Sequence, residues 1–172
     1  MSDEADHPAG LDDAGLLARC ARATGRGSGP GGQHRNKVET AVRLRDEPTG
    51  LEAQASERRS QAENQRVALR RLRLKLALEH REPRPAGTTP SKRWSSRVRD
   101  GKIAVNVKHV DYPALLAEAL DALSAQRGRL PAAAAALGVS TSQLVKLIAK
   151  EPAALARVNA QRAASGWHTL KP

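Results

Sequence analysis

The sequence predicts an α+β fold: a small antiparallel sheet packed by one long helix, followed by a mainly helical, helix-turn-helix-like C-terminal domain. Three observations lead there. Apolar and charged residues alternate from Ala41 to Arg45, Pro48-Thr49-Gly50 supplies turn chemistry, and Leu51 to Ser56 can run back as the second strand of a hairpin. From Gln61 to His80 there is neither Pro nor Gly, and Leu69, Leu72 and Leu76 recur at helical spacing. Beyond Asp111, Pro113, Pro131 and Pro152 stand where helices open, and Gly128 and Gly166 where they stop.

Taken in order, residues 1–11 are acidic at the start and predict a disordered tail. The apolar run Leu16 to Ala21 predicts a short strand leading into the glycine cluster Gly25 to Gly32, which must form a loop. On the Gln61 to His80 helix, Val67, Leu74 and Leu78 fall opposite the leucine stripe and need a packing partner of their own. Arg66, Arg70 and Arg73 line a third side, as a solvated face aided by Glu63 or as phosphate contacts. Residues 83–110 read as a basic linker, opened by Pro83, Pro85 and Pro90 and carrying a β-hairpin. In that hairpin Trp94 to Arg99 and Lys102 to Val107 flank Asp100-Gly101, a dipeptide suited to a type I′ turn. The register puts Trp94, Val98, Ile103, Val105 and Val107 on one face and Arg97, Arg99 and Lys102 on the other. Within residues 111–172, Leu116, Ala119, Leu120 and Leu123 form one stripe. Ala134, Gly138 and Leu144 then have the spacing of a helix-turn-helix, which many three-helix cores share, and Ser140 with Gln143 forms a capping-box signature.

The 172 residues carry a formal charge of +11, an excess that points to a polyanion, and nucleic acid leads among polyanions. Residues 87–172 hold thirteen Lys and Arg against five Asp and Glu, so most of the excess lies there. No run approaches the ~18 apolar residues of a membrane span, and the N-terminus lacks both a signal core and a transit peptide's arginines, so a cytoplasmic protein with no membrane partner is expected. The single cysteine, Cys20, excludes an internal disulfide and reads as a buried, inert thiol. With no Phe and only Trp94, Tyr112 and Trp167, base stacking on aromatic platforms fits badly.

Gly27-Ser28-Gly29-Pro30-Gly31-Gly32 satisfies the dinucleotide-binding glycine pattern, but the polar residues after it do not open a packed crossover helix. Nor is there a P-loop, since Lys37 follows Asn36. No histidine pair has metal-ligand spacing and no triad is placed, so no metal or other cofactor is expected, and side chains would not be the main catalysts of any reaction here.

The run from Gly27 through Gly31-Gly32-Gln33-His34-Arg35-Asn36-Lys37 to Leu44, then Pro48-Thr49-Gly50, Arg59-Ser60-Gln61, Asn64 and Ala68-Leu69, resembles the catalytic domain of class I peptide-chain release factors. The resemblance covers roughly residues 12–78, with the domain ending near 82, and departs mildly at Arg35, where relatives often carry a small or apolar residue. It implies hydrolysis of the ester joining peptide to tRNA on the ribosome, with Gly31, Gly32 and Gln33 as the catalytic residues. In the family the backbone N–H of the glutamine stabilises the transition state or leaving group, and its side chain restricts the nucleophile. Ser28, Pro30, His34, Arg35, Asn36 and Lys37 are then expected at ribosomal RNA, and Arg59, Arg66, Arg70, Arg73, Arg97, Arg99 and Lys102 extend the RNA-binding set. Because only a short segment precedes the loop, the chain is most like the short, codon-independent rescue factors. It is expected to work as a monomer on large-subunit RNA and peptidyl-tRNA. A non-catalytic RNA- or DNA-binding protein acting through the C-terminal helices is the alternative.

Overall fold

The computed structural model describes residues 7–26, 40–85 and 87–171. They form two compact units, Met1–His80 and Arg81–Pro172.

The first unit opens on a 3-10 turn, Pro8–Gly10, with Pro8 and Ala9 buried, so residues 8–10 are not part of a disordered tail. Asp12 then caps helix α1 (Asp13–Ala18) by accepting a hydrogen bond from the Gly15 N–H at 2.7 Å. This corrects the predicted strand: Leu16 to Ala18 are helical, because the Asp12 cap starts a turn that buries Leu16 completely. Strand β1 (Cys20–Gly25) begins only after it. Cys20 is free and half-buried, and burial pushes its thiol pKa up, in keeping with an inert group.

Strands β1, β2 (Ala41–Asp46) and β3 (Glu52–Ala55) form an antiparallel sheet in that order. The predicted hairpin is the β2–β3 pair, with Val42 opposite Ala55 and Leu44 opposite Ala53. Along β2, Val42, Leu44 and Asp46 are buried while Arg43 and Arg45 are exposed. Helix α2 (Gln61–Glu79), capped by Ser60, packs on β2 and β3 with Leu69, Leu72 and Leu76 buried as predicted. Each such leucine removed from water is worth about 1.5–3 kcal/mol before chain entropy is counted. Arg71 and Lys75 fasten α2 to the sheet by donating to the Gln54 and Glu52 carbonyls. Val67, Leu74 and Leu78 are half-buried.

In the second unit, Arg81 and the first residues of the expected linker are held against helix α4 (Tyr112–Ala125). Arg81 pairs with Asp121 at 3.0 Å and Arg84 with Glu118 at 3.4 Å, and Ser91 donates to both Glu118 oxygens. Ser91 also caps helix α3 (Lys92–Arg97), where a strand was predicted. The reason is Trp94: its indole is fully buried and its Nε1–H donates to the Leu137 carbonyl at 2.8 Å, which a helical turn achieves. The hairpin survives as two short strands, β4 (Val98–Arg99) and β5 (Lys102–Ile103), around Asp100 (φ 49°) and Gly101 (φ 70°), both positive as a type I′ turn requires. Ile103 and Val105 are buried, but Val107 is 47% exposed and does not share their face.

Leu116, Ala119, Leu120 and Leu123 are buried along α4. Helices α5 (Leu130–Ala136), α6 (Thr141–Ala149) and α7 (Pro152–Ala164) follow. Gly138 (φ 66°) turns the chain between α5 and α6, whose axes bend by 96°, and Ser140 accepts from the Gln143 N–H at the start of α6. That angle and turn length are those of a helix-turn-helix. No single helix among the described residues is long and apolar enough to cross a membrane.

Candidate functional site

Ser28, Pro30, Gly31, Gly32, Gln33, His34, Arg35, Asn36 and Lys37 lie outside the described residues. What the structure shows is how the chain on either side of them is held. Gly25, the last residue of β1, is the cross-strand partner of Ala41, the first of β2, so both stems leave the sheet at the same end of this strand pair. A cleft of about 250 Å³ opens there, lined by Thr24, Gly25, Arg26, Arg43, Gln54 and Ser56 among others.

Asn64 secures the second stem. It has no exposed surface, its Nδ2 donates to the Thr40 carbonyl at 2.7 Å and the Arg58 carbonyl at 2.9 Å, and its Oδ1 accepts from the Arg58 N–H at 2.9 Å. One primary amide thereby joins the end of the loop segment, the approach to α2 and α2 itself. No functional role was assigned to Asn64 from sequence, yet a signal was present. Positions 64, 68, 72 and 76 form one buried stripe, and an asparagine among Ala68, Leu72 and Leu76 must find hydrogen-bond partners.

A second polar anchor holds the far end of the hairpin. Asp46 is fully buried, receives Arg19 at 2.8 and 3.2 Å, and accepts from the Thr49 hydroxyl at 2.6 Å and the Thr49 N–H at 3.2 Å. Burial alone would raise its pKa, but the Arg19 and Thr49 hydrogen bonds outweigh burial and hold the carboxyl below the ordinary aspartate value.

The predicted RNA-binding cations that the structure describes fall in both units. Arg59, Arg66 and Arg70 are exposed. Arg73 is only 6% exposed: its guanidinium donates to the Leu11 carbonyl at 2.8 Å and pairs with Asp13 at 2.7 Å. It is therefore a structural tie between α2 and the segment around α1, and it leaves the RNA-binding set. Arg22 and Arg43, not singled out from sequence, are exposed near the loop stems, with Arg22 reaching Gln61 at 3.0 Å. In the second unit Arg97 is half-buried at the end of α3 and donates to Asp111 at 2.6 Å. Arg99 and Lys102 are cross-strand partners and both exposed.

The RF-1 domain family model matches residues 18–111. Peptide chain release factor 1 of Malacoplasma penetrans is 37% identical over 90 residues, 52% of this chain and 24% of that protein. Peptide chain release factor 1-like, mitochondrial, of Mus musculus is 39% identical over 85 residues, 49% of this chain and 20% of its own. Peptide chain release factor PrfB1, chloroplastic, of Arabidopsis thaliana is 40% identical over 81 residues, 44% and 18% of the two chains. The matched segment thus spans a quarter or less of these relatives, and α4 to α7 lie beyond the family match.

Proposed function

Because the chain belongs to the RF-1 domain family, we propose that it hydrolyses the peptidyl-tRNA ester in the ribosomal peptidyl transferase centre, as a release factor independent of a stop codon. The observation that carries the reading is Gly31-Gly32-Gln33 set inside the family-matched segment with its downstream landmarks in order. The paired stems at Gly25 and Ala41, with Thr40 held by Asn64, support it as a rigid base for a loop that must reach a reacting ester.

The chemistry follows from what the backbone of the loop can supply. Water attacks the ester carbonyl, the bond to the tRNA 3′ oxygen breaks, and that oxygen leaves with a proton. The Gln33 N–H donates to the charge that develops, a contribution typically about 2.7–4 kcal/mol for one such donor. Gly31 and Gly32 allow a backbone approach that a Cβ would obstruct. Ser28, Pro30, His34, Arg35, Asn36 and Lys37 would contact ribosomal RNA, with Arg59, Arg66, Arg70, Arg97, Arg99 and Lys102 as further contacts. Independence of a stop codon is drawn from the resemblance to the short rescue factors.

The test is peptide release from ribosomes carrying peptidyl-tRNA, with an empty A site on a truncated message and, separately, with a stop codon. Release on the truncated message is expected. It should fall modestly with Gln33→Ala, severely with Gly32→Ala, and most with Gln33→Pro, which removes the N–H itself. Release that requires the stop codon would overturn codon independence. Full release by Gln33→Pro at normal ribosome binding would remove the backbone donor.

A further inference from the structure

We propose that the cavity between the α4–α5 turn and the C-terminal end of α7 binds a single unpaired nucleotide, with its base against Trp167 and its phosphate held by Arg127 and Arg162. The cavity measures about 240 Å³ and is lined by Leu123, Arg127, Gly128, Gln161, Arg162 and Trp167 among others. Sites for drug-sized ligands run to about 300–1,000 Å³, so this one has room for one small group. It lies beyond the segment that the family model matches.

The aromatic wall is fixed in place by the chain around it. The Trp167 N–H donates to the Arg162 carbonyl at 2.8 Å, and Arg162 Nε donates to the His168 carbonyl at 2.8 Å. The Asn159 amide accepts from the Leu170 N–H at 2.7 Å and donates to the Leu170 carbonyl at 3.1 Å. Gly128 completes the seat: a Cβ there would lie 3.0 Å from Trp167 Cζ3, so its absence lets the ring rest against the turn. Trp94 and Tyr112 are buried, whereas Trp167 is 38% exposed. The Arg162 guanidinium lies over the Trp167 ring, 5.4 Å from its centroid. Indole and guanidinium are two kinds of surface on which unpaired bases stack. Both are held before any ligand arrives, which spares the rotamer freedom that binding would otherwise cost. A lone indole makes no extended platform, but one base needs only one.

Charge and hydrogen-bonding capacity define the rest of the ligand. No acid lines the cavity. From Ala122 to Pro172 the single acid is Glu151, against seven Lys and Arg, and it caps the opposite end of α7. Asp121, two residues before Leu123, is buried and paired with Arg81. The ligand is therefore an anion, and two guanidiniums suit a phosphate. Ser124 and Gln161 also line the cavity and are exposed. A hydroxyl and an amide can donate to and accept from the edge nitrogens and oxygens of a base, which the edge of a phenyl ring does not offer. That combination favours a nucleotide over an aromatic phosphate such as phosphotyrosine. Base and phosphate are common to ribo- and deoxyribonucleotides, so the site takes either.

The test uses the full chain and no ribosome, so its outcome is independent of the release assay. Adenosine, guanosine, cytidine and uridine 5′-monophosphates are titrated by calorimetry while tryptophan emission is read; Trp94 is fully buried, so quenching reports Trp167. The nucleotides should bind and quench, and adenosine without its phosphate should bind about 10-fold more weakly or worse. Trp167→Leu keeps an apolar group on Gly128 but has no π-face, and it should weaken adenosine monophosphate by about 5- to 150-fold, the value of one base stack. Arg127→Asn suits the left-handed backbone at that position (φ 52°) and should narrow the gap between nucleotide and nucleoside. Lys146→Ala removes the same charge from α6 and should leave binding unchanged, with circular dichroism establishing that each variant is folded. A 5′-phosphorylated single strand that binds more tightly than the monophosphate identifies a strand as the source, and equal binding identifies the free nucleotide. Phosphotyrosine binding as tightly as the nucleotides, equal losses for Arg127→Asn and Lys146→Ala, or undiminished binding by folded Trp167→Leu would each overturn the proposal. So would the absence of nucleotide binding, or binding to the wild type without quenching, which decides the matter even where a variant does not fold.

Discussion

Replacing Asn64 with alanine probes the loop base directly. The amide is fully buried and makes three hydrogen bonds, two donated to the Thr40 and Arg58 carbonyls and one accepted from the Arg58 N–H. A buried group left without its partner costs about 1–3 kcal/mol. Arg58 is exposed and Thr40 half-buried, so water can reach part of what is orphaned, and the expected loss is about 2–4 kcal/mol rather than three full penalties. Both tryptophans, Trp94 and Trp167, lie in the second unit. Circular dichroism, which reports the first unit as well, should therefore be the probe that shows the loss, as a lower midpoint in urea. On ribosomes, the release rate should fall more than binding, because Thr40 follows Gln33 by only seven residues and its carbonyl is what Asn64 holds. Asn64→Asp sharpens the test. A carboxylate facing two carbonyls has its folded pKa raised, so that variant should be most stable below the unfolded aspartate value of about 3.9 and lose stability as pH rises from there through its raised folded value. A loss below about 1 kcal/mol with undiminished release would show that the amide neither supports the fold nor positions the loop.

Two further substitutions test the anchors in each unit. The Asp46 carboxyl has its folded pKa held down, so its contribution is complete above the unfolded value and is lost as pH falls through the folded one. Asp46→Asn should cost about 1–3 kcal/mol near neutrality and flatten the fall in stability below about pH 4, measured by urea midpoints from pH 3 to 7; an unchanged acid limb would assign it to other carboxylates. Gly128 has φ +78°, and a Cβ built on it would lie 3.0 Å from Trp167 Cζ3. Gly128→Ala should cost about 1–2 kcal/mol for the left-handed backbone and shift Trp167 fluorescence, whereas wild-type emission and stability would show that the ring does not rest there.

Sequence alone determined the elements whose cause is local. The α2 stripe, the β2 alternation, the Ser140 cap and the turns at Asp100-Gly101 and Gly138 each depend on residues within a few positions of one another, and each stands where the pattern placed it. The Gly31-Gly32-Gln33 run is legible as a motif because its residues are contiguous, and it lies outside the described residues. Tertiary structure decided the rest. Whether Leu16 to Ala18 and Trp94 became helix or strand depended on burial, and the Trp94 indole found its acceptor 43 residues away. The same holds for the polar interior. Asn64 meets Thr40 across 24 residues, Asp46 meets Arg19 across 27, and Arg73 meets Leu11 across 62. Periodicity can mark a polar side chain as inward-facing, but whether it anchors a loop, closes an ion pair or remains free to meet RNA depends on which distant backbone or charge the fold brings within about 3 Å of it.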